Sequence, residues 1–230
     1  MSGPPTLNIM KCNSICLAIL LAVTVVSFRV AAQTAPGIIT PTQRTELFDG
    51  KSLDGWTFVS AGTNAPAAAI WSVTNGVIFC EGKPNGYART LKWYRDYRLH
   101  VEWRWPAGAG NSGVFLHLNP PDKVWPMCFE AQLLAGSAGE VRLNGGAKAD
   151  LADANAKFVP RQHPSSEKPT GEWNAYDIVC RGHTISVRVN GVLQNEVTGT
   201  SVDCGTIGLQ AEGAPVEFRN VILDKLPDGQ

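Results

Sequence analysis

The sequence predicts an all-β fold, an antiparallel β-sandwich or jelly roll, on three observations. Apolar and polar residues alternate with period two in nearly every segment after residue 45, the mark of half-buried strands. Asn75-Gly76 and Asn190-Gly191 are two-residue hairpin signals, because Asn and Gly tolerate positive φ at both turn positions. The chain carries 23 Gly and 15 Pro and shows no amphipathic helix of convincing length after its first 32 residues. Many short strands with this punctuation suit a sandwich or jelly roll.

Taken in order, the first element is an address. Lys11 precedes an apolar run from Ile15 to Val26, and Val30-Ala31-Ala32 is a small-residue cleavage site. A run of about a dozen residues is a signal-peptide length and falls short of the roughly 20 needed to span a bilayer. The expected organisation is therefore a signal peptide over 1–32, a flexible linker over 33–44 and a β-sandwich domain over 45–230. The expected location is periplasmic or secreted, with no stable membrane span after cleavage. Lys+Arg and Asp+Glu both number 20, and no basic run exists, which argues against nucleic acid as a partner.

Cys80, Cys128, Cys180 and Cys204 survive cleavage. In an exported protein they are able to form two disulfides, by any of three pairings, or to serve as small buried hydrophobes. No CxxC or Cys/His cluster points to zinc.

Asp49-Gly50 and Asp54-Gly55 are turns that open the domain before Trp56, and WSVTNGVIFC (71–80) is the first hairpin. The stretch from Tyr97 to Leu134 is the most informative. Tyr97, Leu99, Val101 and Trp103 fall on one side of a strand, and Arg98, His100, Glu102 and Arg104 on the other. In VFLHL (114–118), Val114, Leu116 and Leu118 oppose Phe115 and His117. In FEAQL (129–133), Phe129, Ala131 and Leu133 oppose Glu130 and Gln132. A charged strand face is often only the wet side of a sheet. Three successive strands offering carboxylates, an amide, imidazoles and guanidinium groups suit sugar hydroxyls and proton transfer. Glu102, Arg104, His117, Glu130 and Gln132 are therefore expected to line one surface, with Asn111 at its edge. The same parity buries Leu99, Val101, Trp103, Leu116, Leu118, Leu133, Ile178, Val187, Leu209 and Phe218.

Gly108 to Gly113 matches GxGxxG, but a strand follows instead of a helix, so a dinucleotide site is rejected. The glycines instead permit close backbone approach to a ligand. Residues 135–168 read as a long polar, irregular loop, either a binding loop or a variable excursion. Two or three strands follow Trp173, and Ile207 to Gln210 and VEFRNVIL (216–223) close the domain, the last expected to pair with an N-terminal strand.

Seven pieces in order, LFDGKSLDGW (47–56), WSVTNGVI (71–78), EWR with GNSGVFL (102–116), FEAQ (129–132), KPTGEWNAYDI (168–178), NG (190–191) and GLQAEGAPVEFRNVIL (208–223), resemble the bacterial 3-keto-disaccharide hydrolase domain family. The resemblance spans nearly the whole mature chain. It implies a concanavalin-like jelly roll with a concave sugar-binding face, acting on an oligosaccharide or glycoside whose sugar carries a C3 ketone. It also implies Lys168, Trp173 and Gln210, beside Asn111 and Gln132, as substrate-binding residues. Two positions depart from the family pattern: Leu134-Ala135-Gly136, where relatives often carry an aspartate, and Glu212-Gly213, where they often carry His-Gly.

The implied chemistry is elimination followed by hydration. The ketone acidifies the C2 proton, a base removes it, the enolate expels the C1 oxygen, and water then adds. No oxocarbenium ion is needed, unlike ordinary glycosidases. Glu130 is the candidate base, Arg104 or a divalent metal the enolate stabiliser, and His117 or Glu102 the acid. The competing readings are a carbohydrate-binding (lectin-like or laminin-G-like) module without turnover, and a structural surface domain.

Overall fold

The computed structural model describes residues 37–62, 66–153 and 155–226. The expected signal peptide lies outside them. In chain order the strands are β1 (Ile38–Ile39), β2 (Thr45–Glu46), β3 (Trp56–Ser60), β4 (Trp71–Thr74), β5 (Val77–Cys80), β6 (Gly86–Thr90), β7 (Trp93–Tyr94), β8 (Tyr97–Arg104) and β9 (Gly113–Asn119). Then follow β10 (Met127–Gln132), β11 (Val141–Asn144), β12 (Phe158–Val159), β13 (Asn174–Arg181), β14 (Thr184–Val189), β15 (Val192–Val197), β16 (Thr206–Ala211) and β17 (Val216–Lys225). The only helical piece among the described residues is a 3₁₀ turn at Ala67–Ala69.

Two antiparallel sheets make the sandwich. The front sheet runs β12-β11-β10-β9-β16-β6-β3, and the back sheet runs β15-β14-β13-β8-β17-β5-β4. The expected closure occurs: Ile222 and Leu223 of β17 pair with Glu46 and Thr45. Both hairpins form on their Asn-Gly pairs, with φ of 52° and 76° at Asn75 and Gly76, and 49° and 83° at Asn190 and Gly191. The expected flexible linker is docked from residue 37 onward. Ile38 and Ile39 pair in parallel with Trp93 and Tyr94, Pro41 is buried, and Arg44 bonds Asp224 at 2.9 Å.

One core fills the space between the sheets, and all ten residues expected to be buried are buried. Trp103 and Tyr176 of the back sheet stack at 4.6 Å. The Tyr176 hydroxyl then reaches the front sheet, donating to the Gln132 carbonyl and accepting from the Gly139 amide. Burial of that hydroxyl is thus matched by hydrogen bonds. None of the four cysteines is in a disulfide, and Cys80, Cys128 and Cys180 are fully buried. They behave as small apolar core groups.

A bulge in β9 changes which residues face where. Phe115 pairs with Gly208 and Leu118 with Thr206, so three steps on β9 match two on β16. On the other side, Leu116 pairs with Phe129 and Asn119 with Met127, again three against two. His117 is the extra residue, at φ 50°. An extra residue reverses strand parity beyond it. Leu118 therefore joins Phe115, Tyr87 and Cys128 on the outer side of the front sheet. Gly205 makes room, because a Cβ there would strike the His117 backbone.

Candidate active site

The residues expected to form one surface are distributed over three places. Glu102 and Arg104 lie on the outer face of the back sheet, half-exposed. Arg219 donates to Glu102 at 2.6 Å, and Arg104 is paired with Glu217. Trp173 sits between Arg104 and Arg219, whose guanidinium carbons lie 4.7 and 4.0 Å from its ring centre. Lys168 bonds the Trp173 carbonyl through Nζ at 3.0 Å. Each of these side chains has its partner within the same face. Against the opposing pull of burial, Asn220, Arg219 and His100 together hold Glu102 below the usual carboxylate range.

His117 is not on a surface. The bulge turns its ring inward, edge-on to Tyr97 at 5.8 Å, with Nδ1 3.2 Å from the Val202 carbonyl. Burial pushes its pKa down to about 4, so at neutral pH it is an uncharged core imidazole. The acid roles expected of His117 and Glu102, and the enolate role of Arg104, are thus displaced. Strand alternation cannot tell which sheet a charged face belongs to, nor follow parity across a bulge.

What remains is built around Glu130 on the outer face of the front sheet. Its neighbours across the ladder are Phe115 on β9 and Arg142 on β11. Its side chain lies over Gly113, where any Cβ would collide with it. Gly113 thus admits the Glu130 side chain, where the sequence predicts close approach to a ligand. Glu130 is 2 % exposed. Asn144 donates to its Oε2 at 2.6 Å, while Oε1 has no partner. Burial is the main influence and pushes its pKa up to about 7; Glu212 adds to the rise, while Asn144 and Arg142 oppose it.

Four further groups complete the recess. Gln210, on the same face and opposite Tyr87, is buried; its amide helps hold the Glu212 carboxylate, and its Oε1 has no partner. Asn111 bridges to Glu212 and Gly213, and its Oδ1 is buried and unpartnered. Glu212 is half-buried, and burial raises its pKa against the pull of Arg142 and Gln210. The Arg142 Nε is buried without a hydrogen-bond acceptor, and its guanidinium sits 5.6 Å over the Phe158 ring. Buried polar atoms are normally paired, and the donors and acceptors gathered on this patch suit a hydroxylated ligand. Gln132 shares Glu130's strand, but its Oε1 is already engaged by the Leu133 and Leu134 amides at 2.9 Å each.

Arg142 and Asn144 were hidden in the segment expected to be an irregular loop. The signal was there in VRLN, where Val141 and Leu143 alternate with them, but four residues between glycines make a weak strand. Glu212 stood out only as a departure from the family pattern. On the far side of this face, the β9–β10 loop is tied across the sheet: Asp122 takes two bonds from Arg89, at 2.9 and 2.7 Å, and one from the Tyr87 hydroxyl at 3.2 Å. Among the described residues no three His, Cys, Asp or Glu side chains converge to hold a metal ion.

Sheet order defines a jelly-roll β-sandwich domain. Residues 43–224 match the 3-keto-alpha-glucoside-1,2-lyase-like domain, and the chain belongs to that family. A search of curated proteins found no match. Among solved structures, a Parabacteroides distasonis protein provisionally described as a glycosyl hydrolase is similar, with TM-score 0.60 and 21% identity over 80% of this chain and 94% of that one. The Bacillus licheniformis beta-glucanase gives TM-score 0.55 and 15% identity over 79% and 97% of the two chains. The carbohydrate binding module CBM66 of Bacillus subtilis gives 0.54 and 11% over 74% and 96%. At these identities the likenesses speak for the fold alone.

Proposed function

We propose that the protein is an exported hydrolase that cleaves the glycosidic bond of 3-keto-disaccharides or 3-keto-glycosides by elimination and hydration. The observation that carries this reading is the buried Glu130 carboxyl, its Oε1 unpartnered, beside a second carboxyl and the Arg142 guanidinium. Elimination needs a group to take the C2 proton, a group to protonate the departing oxygen and a cation near the enolate oxygen. Glu130 and Glu212 supply two carboxyls of unequal burial, and Arg142 replaces Arg104 as the enolate partner. Gln210 and Asn111 offer buried amide groups that suit ring hydroxyls. Family membership supports a carbohydrate substrate; the C3 ketone is the finer step that belongs to this proposal.

The test is direct. Purified mature protein is incubated with 3-keto-trehalose and with 3-keto-glucosides, with and without a chelator, and released glucose or aglycone is measured. Release without loss to the chelator is the expected result. Saturable binding with no release would instead favour a carbohydrate-binding module. Sequencing the N-terminus of exported material should give Gln33, and an intact Met1 would refute the signal-peptide reading.

A further inference from the structure

The two carboxyls of the recess are not equivalent. Glu130 lies on the floor of the front sheet, out of water, with one oxygen accepting from Asn144 and the other bare. Glu212 stands at the end of β16, half in solvent, beside the Asn111 backbone. A carboxyl in an apolar setting keeps its proton, while a better solvated neighbour ionises, so unequal burial separates an acid from a base. The hydrogen bonds agree: a protonated Glu130 accepts at Oε2 and carries its hydrogen on Oε1, the one atom left free to donate.

We propose that Glu130 is the acid of this site and Glu212 the base, the reverse of the role that strand position alone suggests for Glu130. This rests on the function proposed above. In the first step Glu212 takes the C2 proton, and the C–H electrons become the enolate between C2 and C3, beside Arg142. The ketone then re-forms, the electron pair moves to C1–C2, and the C1–O bond breaks. The departing oxygen takes the proton from Glu130 Oε1. In the hydration half, water adds at C1 as Glu130, now a carboxylate, accepts its proton, and protonated Glu212 returns a proton to C2. Both carboxyls end as they began. The charged groups around the pair support this order: Glu212 raises Glu130, Arg142 acts on both in the opposite sense, and Glu130 sits at about 7.

Two 3-keto-glucosides that differ only in leaving group separate the roles. Methoxide leaves poorly and needs an acid; 4-nitrophenoxide leaves well and does not. Glu130→Gln should slow the methyl glycoside by about 10²–10⁴-fold and spare most of the 4-nitrophenyl rate. Glu212→Gln should slow both alike and stop exchange of the C2 hydrogen with solvent deuterium. The opposite pattern, or equal losses in both variants whatever the leaving group, would overturn the assignment. If wild-type protein turns over neither substrate, the functional reading fails first, and the assignment with it. Carbon-13 titration of the two carboxyls provides a readout independent of turnover: Glu130 should hold its proton to higher pH than Glu212, and the reverse order would overturn the proposal.

Discussion

The two sheets each carry a charged outer face, and the faces are built on opposite terms. On the back sheet, Arg98 meets Asp177 at 2.7 Å, His100 meets the same carboxylate at 3.1 Å, and Glu102, Arg219, Arg104 and Glu217 continue the chain of pairs. On the front sheet, Glu130, Gln210, Asn111 and Arg142 each keep a buried polar atom without a partner. The first face is charged, wet and satisfied. The second is drier and unsatisfied. Charge alone therefore does not mark a site in this fold; what sets the front face apart is a buried carboxyl with buried polar groups gathered around it.

If that contrast is right, pH should act through the front face. Burial raises Glu130 from 4.5 to about 7 in the folded protein. A raised carboxyl contributes stability that is fully present below the unfolded value and is lost as pH rises through the folded one. Unfolding free energy should thus fall by about 3 kcal/mol between the two values, at 1.36 kcal/mol per unit. Glu130→Gln should remove most of that slope in denaturant titrations. A slope that survives the substitution would place the titrating group elsewhere.

Gly113 sharpens the comparison next. Its backbone is open to any residue, but a Cβ would push Glu130 off the floor of the recess. Gly113→Ala should lower kcat/KM on a 3-keto-glucoside by about 10²-fold, the scale of an ångström-sized misplacement. Unchanged kinetics would mean that Glu130's position is immaterial.

Effects on the back face should be smaller and confined to stability. Trp173→Ala removes the ring between two guanidinium groups and should cost about 1–2 kcal/mol in thermal or urea unfolding, with turnover unaffected. A lost activity would return Trp173 to the substrate site. His100 is the least of these: the Asp177 hydrogen bond raises its pKa above 6.5. Its contribution is full below 6.5 and fades as pH rises past the folded value, and a half-buried pair on a solvent-facing sheet is worth about 1 kcal/mol or less. Asp177→Asn should erase it.

Particular residues show what was legible in advance. The alternation of Tyr97 to Arg104 and the Asn-Gly turns carried the sandwich, because period two and positive φ are local properties. Glu130, Gln210 and Asn111, expected as site residues, lie together on the front face. Glu102 and Arg104 were not separable from them, since a strand's pattern says which residues share a face but not which sheet that face closes. His117 failed for a different reason. Its inward turn depends on a bulge set by two flanking strands and by Gly205, none of them adjacent in the chain. Arg142 and Asn144 were missed because four residues of alternation carry little signal inside a long polar segment.

The front face, and not the back, should carry the chemistry. Glu130→Gln and Glu102→Gln make the same change, a carboxyl to an amide, on opposite faces. Their kcat/KM values on methyl 3-keto-glucoside test it most directly. The account requires a loss of about 10²–10⁴-fold for Glu130→Gln and wild-type turnover for Glu102→Gln. An active Glu130→Gln beside a dead Glu102→Gln would contradict it.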